Sequence, residues 1–113
     1  MIRVTVTREA DGKVSGYQVE GHSGTAAHGE DIVCAGVSAL AQTALLGIGE
    51  YLHREVSYKV ASGKLMMCLR DAPDTETEAV LQTMLLGIRA IERTHPEAVC
   101  VKEKSGGEIH VPV

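Results

Sequence analysis

Gly21-His22-Ser23-Gly24-Thr25-Ala26-Ala27-His28-Gly29-Glu30-Asp31-Ile32-Val33-Cys34-Ala35-Gly36-Val37-Ser38 is the stretch where the pattern of the chain changes from period two to helical spacing. Downstream of it Val33, Val37, Leu40, Ala41, Ala44, Leu45, Ile48 and Leu52 recur every three or four residues, the stripe of an amphipathic helix. The other side of that helix is hardly more polar, because Ile32, Ala35, Ala39 and Leu46 lie on it and only Ser38, Gln42 and Thr43 interrupt it. A helix that is apolar nearly all round has to be covered on two sides. In a chain of 113 residues a sheet can cover one side, and a second helix or a second subunit the other.

Upstream, Ile2, Val4 and Val6 alternate with Arg3, Thr5 and Thr7, a strand with one wet face. Asp11-Gly12 signals a hairpin turn, and a less regular strand from Val14 to Gly21 delivers His22 at its end. Beyond the helix, Val56, Tyr58 and Val60 alternate, Ser62-Gly63 turns, and Leu65, Met67 and Leu69 alternate again. After a loop around Pro73, Thr75 and Glu78 match a capping box opening a second helix to Thr94, which Pro96 ends. Val99-Cys100-Val101 and Ile109-His110-Val111 read as short final strands. The order ββαββαβ predicts one α+β domain over residues 1–113, an antiparallel sheet of four to five strands with two helices.

Composition removes several function classes. Apolar content of 44% and charged content of 23% exclude disorder, and one domain of this length holds a core without staples. There is no Phe or Trp on which bases could stack, and a net charge of −4 opposes a phosphate-tracking surface. A basic polypeptide is therefore the expected partner, with no direct nucleic acid. Cys34, Cys68 and Cys100 form neither a disulfide framework nor a metal motif, and His22, His28 and Cys34 fit no strong zinc spacing, so neither metal nor cofactor is expected. The N-terminus lacks a signal-peptide core and no run reads as long enough to cross a bilayer, which points to the cytoplasm and reduced thiols.

Within the quoted stretch, Asp31 as N-cap would put Cys34 at the third helical position, where the positive helix end stabilises a thiolate. His22 precedes it by twelve positions, and Gly24 and Gly29 let the loop fold back and close over a substrate. A Cys–His pair in contact is a nucleophile with its acid/base partner, and backbone amides of Val33 to Ala35 are candidates for holding an oxyanion. Each residue also has a structural reading. Cys34 fits as a small buried hydrophobe, His22 as a strand-end hydrogen-bonding group and His28 as a loop-surface residue. Asp31 fits a cap or an orienter of His22, roles that compete for the same carboxylate. Ser38, one turn beyond Cys34, can serve the sulfur or bond back to the Cys34 carbonyl.

Gly21-His22, Ala26, Gly29 and the run Asp31-Ile32-Val33-Cys34-Ala35-Gly36-Val37-Ser38 closely resemble the signature of the ribosomal-processing cysteine protease family, often called Prp. Thr25 departs from it, standing where many relatives carry an aromatic or larger residue. The resemblance implies Cys34 as nucleophile and His22 as its partner, with Gly21, Gly29, Asp31 and Ser38 in supporting or substrate-binding positions. It also implies a small cytosolic α+β homodimer that removes an N-terminal extension from bacterial large-subunit ribosomal protein twenty-seven, cutting after an aromatic residue. The alternatives are a non-enzymatic dimeric ribosome-associated adaptor with Cys34 buried, and a thiol redox sensor, which lacks a resolving cysteine nearby.

Overall fold

The computed structural model describes residues 1–21 and 30–106, residues 30 and 31 by their backbone only. Five strands and two helices follow in the order β1 (Ile2–Arg8), β2 (Val14–Glu20), α1 (Glu30–Leu46), β3 (Val56–Ala61), β4 (Lys64–Leu69), α2 (Thr75–Thr94) and β5 (Val99–Ser105). The expected final strand at Ile109–Val111, with His110, lies outside the described residues.

The strands form one sheet in the order β3-β4-β2-β1-β5. Four of them pair antiparallel, but β5 runs parallel to β1, so the sheet is mixed rather than purely antiparallel. The reason is the helix before it: α2 carries the chain back along the sheet, and a strand re-entering after such a crossover runs parallel. Pairing along all of β1, from Ile2↔Val99 to Arg8↔Ser105, also extends β5 through Lys102, Glu103 and Lys104, which have little strand propensity of their own.

Both helices pack on the face carrying Ile2, Val4, Val6, Tyr17, Met67 and Val99, all buried. The irregular second strand has a local cause. Register slips between Thr7 and Arg8, so Arg8 pairs with Val14 and Ser15 is skipped. This bulge lets Val14 and Tyr17, of opposite parity, both enter the core, and Val19 packs on the same side as Tyr17. Tyr17 Oη donates to the Ala41 carbonyl at 2.7 Å, tying sheet to α1, and its burial raises the phenol well above its ordinary value.

Val33, Val37, Ala41, Ala44 and Ile48 form the buried stripe of α1, while Ile32 is 76% exposed and Leu46 55%. The helix thus has two apolar sides, and α2 covers only part of the second. A π-helical turn, Gly47–Tyr51, extends it, and His53 at φ 55° then takes the left-handed conformation that ends it. By length and hydropathy (1.8) Ile32–Tyr51 suffices to cross a bilayer, contrary to the expectation from sequence, yet its inner stripe is the core of this domain.

The second helix is capped one residue earlier than expected. Asp74, not Thr75, is the N-cap: its carboxylate accepts from the Thr77 amide at 3.0 Å, and Thr77 Oγ1 accepts from the Asp74 amide at 2.9 Å. Glu78, the expected partner, is drawn away to accept from the Val14 amide at 2.8 Å and to pair with Arg8. Arg8 also binds Glu103, which binds Arg89, so an ion cluster fastens α2 across β1 and β5.

Candidate active site

Between α1 and the β2–β4 end of the sheet lies a cleft of about 310 Å³. One wall is a polar ridge of α1, with Cys34, Ser38 and Gln42 one turn apart, and Gln42 Nε2 donates to Ser38 Oγ at 2.8 Å. The opposite wall is the β3–β4 hairpin, with Val60, Ala61, Gly63 and Lys64. Ile2, Val19, Val37, Ala41 and Leu65 make an apolar floor. Cys34 is half-buried, lines the cleft and packs against the edge of the core.

Gly21 explains how the chain leaves the sheet beside this cleft. It sits at φ +100°, donates its amide to the Gly63 carbonyl at 2.9 Å, and runs so close to the N-terminal residue that a Cβ would stand 2.3 Å from Met1 O. Only glycine fits. Gly63 and Ile2, the neighbour of Met1, both line the cleft, so Gly21 fixes the end of β2 at this rim.

His22, His28 and Gly29 themselves lie outside the described residues, as does the Asp31 side chain. Two expectations about the helix start are corrected. Because α1 begins at Glu30, Asp31 is inside its first turn rather than ahead of it, and Cys34 is its fifth residue rather than its third. In a regular helix the amides of Cys34 and Ala35, beyond the first turn, donate to carbonyls four residues back. The sheet separates the remaining thiols: Cys68 pairs with Gly16 and Cys100 with Arg3, on the side turned away from α1. A resolving partner for Cys34 is thus not at hand among them.

The sequence reading missed the hairpin wall and Gln42. Nothing local marks Val60 or Lys64 as site residues; they reach the cleft through the β2–β4 and β3–β4 registers. Gln42 carried a faint signal as one of few polar residues in α1, eight positions after Cys34 and on the same helical side.

Comparison with known proteins agrees with this geometry. The family profile described as cysteine protease Prp matches residues 1–100. The ribosomal processing cysteine protease Prp of Staphylococcus aureus is 31% identical over 107 residues, covering 92% of this chain and all of that protein. The crystal structure of an S. aureus ribosomal processing protease Prp with a substrate peptide superposes with a TM-score of 0.84 at 28% identity, covering 92% of this chain and all of the other. The same protease with a covalently linked product peptide gives 0.83 at 29% identity and the same coverage. A cleft walled by a half-buried cysteine and similarity along the whole domain converge: the chain belongs to the Prp family of ribosomal-processing cysteine proteases.

Proposed function

We propose that this protease removes an N-terminal extension from large-subunit ribosomal protein twenty-seven, with Cys34 as nucleophile and His22 as acid/base. The observation that carries the reading is the position of Cys34 in the cleft wall, with β2 ending at Glu20 and Gly21 hydrogen-bonded to Gly63 at the same rim. In this mechanism the Cys34 thiolate adds to the scissile carbonyl, and the His22 imidazolium gives its proton to the leaving amine. Water, deprotonated by the imidazole, then hydrolyses the thioester and returns the thiol. The S. aureus relative holding a covalently linked product peptide supports a covalent route. Among the floor and hairpin residues, Ile2, Val19, Val60 and Leu65 suit an apolar side chain next to the cut, in keeping with cleavage after an aromatic residue.

The working form is a homodimer in the cytoplasm. Ile32, Leu46 and Leu86 are exposed, and an apolar trough of about 380 Å³ between the helices is lined by Leu40, Ala44, Val80 and Met84. A second copy would cover this surface, meeting the need for two-sided cover that α1 shows.

The test is cleavage of a synthetic extension peptide together with iodoacetamide labelling of Cys34. Wild type should cleave and label at neutral pH, His22→Ala should slow both, and Cys34→Ser should abolish cleavage with its melting temperature unchanged. Normal cleavage by Cys34→Ser would remove the assignment. Sedimentation of Leu46→Glu tests the dimer, which that variant should shift to monomer.

A further inference from the structure

The net charge of −4 is an average over two unlike surfaces. Side chains of the face turned away from the helices alternate with the core positions, and register sets them in rows. One row runs Lys59, Met66, Gln18, Thr5, Lys102 across all five strands; the next holds Lys64, Glu20 and Arg3; the third ends at Lys104. Five exposed cations thus meet one carboxylate on this face. Among the described residues, every ion pair uses other cations (Arg8, Lys13, Arg54 and Arg89), and none uses these five.

We propose that this sheet face is a docking surface for the phosphate backbone of structured RNA. Lys59 and Lys102, at opposite edges, are four strand spacings apart, about 19 Å, and Lys104 follows Lys102 by about 7 Å along β5. Between them Thr5 and Gln18 are half-buried and polar, while Met66 and Gly16 are buried, so the cations stand out as the groups a backbone would meet. Tyr17 and Tyr58 share the parity of the core face, so no strand aromatic stacks bases here, which selects a paired backbone over a single strand. The strands' exposed large apolar residues, Tyr58 and Val60, also have that parity, leaving nothing to insert into a membrane. Lysine on an edge strand also discourages strand addition, but Arg3 and Lys64 lie on inner strands, where that purpose does not apply. The choice of RNA over an acidic protein rests on the ribosomal-processing reading. An enzyme held by this face keeps α1 and its cleft turned outward, toward a basic ribosomal substrate.

The experiment is fluorescence anisotropy of the full chain with a labelled 20-base-pair RNA duplex at 50 to 200 mM salt, alongside peptide cleavage by the same preparations. The triple variant Lys59→Ala, Lys102→Ala, Lys104→Ala avoids the cleft. It should weaken RNA binding at least tenfold at 50 mM salt and flatten the salt slope by roughly 2 to 3, about one per lost phosphate contact. Its cleavage should stay at the wild-type rate, and Arg93→Ala on α2 should leave both unchanged. If the triple variant melts early, Lys102→Glu is measured instead, with the same direction expected. No binding at 50 mM salt, or binding indifferent to these lysines, overturns the proposal. So does tighter binding of poly-glutamate or of phosphatidylserine vesicles than of duplex RNA. Loss of cleavage by Cys34→Ser tests the protease mechanism separately and leaves this outcome untouched.

Discussion

Replacing Gly21 by alanine joins fold and chemistry in one measurement. At φ +100° an L-residue is strained by about 1–2 kcal/mol. The added Cβ, 2.3 Å from Met1 O, meets backbone and not a flexible side-chain end, so β1 has to shift at a further cost of about 1–3 kcal/mol. The sum, about 2–5 kcal/mol, corresponds to a fall in melting temperature of roughly 10–20 °C for a domain of this size. The shift is taken up at the rim of the cleft, where Gly21 holds Gly63 and runs against Met1, and a displacement near 1 Å there costs kcat/KM about a hundredfold. Calorimetry gives the first number, and a quenched-fluorescence peptide assayed well below the lower transition gives the second. Gly49→Ala is the control: its Cβ meets nothing within 4 Å, and it should be neutral or stabilise by about 0.4–1 kcal/mol. A Gly21→Ala protein melting within 2 °C of wild type and cleaving within twofold of it would refute the reasoning.

Thr7 Oγ1 is buried with no partner among the described residues, so Thr7→Val, which keeps the branched shape, should raise stability by about 1 kcal/mol in urea denaturation. Glu103 is held below its ordinary carboxylate range first by Arg89 and then by Arg8; its contribution is present above about pH 4.5 and lost as pH falls through the lowered value. Glu103→Gln should therefore cost about 0.5–1 kcal/mol near pH 7, a modest figure because solvent screens the cluster, and the difference from wild type should shrink as pH falls below 4.5. Tyr17 titrates in the opposite sense: its raised phenol keeps full stability below about pH 10, the unfolded value, and loses it as pH rises further. Tyr17→Phe should flatten that alkaline loss while costing about 0.5–1.5 kcal/mol at neutral pH, read by thermal melts across pH. Val60→Asp puts a charge in the apolar part of the hairpin wall and should raise KM for the peptide several-fold with kcat little changed, as steady-state kinetics will show.

The alternation of Ile2, Val4 and Val6, the stripe from Val33 to Ile48 and the turns at Asp11-Gly12 and Ser62-Gly63 are short-range patterns, and the elements they announce are in the structure. Cys34 was legible as a candidate because its neighbours in sequence are also its neighbours in space, along one helix. Pairings between distant segments were not legible. The parallel β1–β5 register, the diversion of Glu78 to Val14 and the hairpin wall opposite Cys34 each join residues dozens of positions apart, whose selection depends on total packing rather than local propensity. Charge shows the same division: composition gives the sum of −4, but strand parity and pairing decide that five cations share one face. The sequence by itself determined the elements, their order and the chemistry available at Cys34. Only the tertiary structure decided which surfaces meet, because side-chain direction is set by register, and register is fixed when all five strands and both helices pack together.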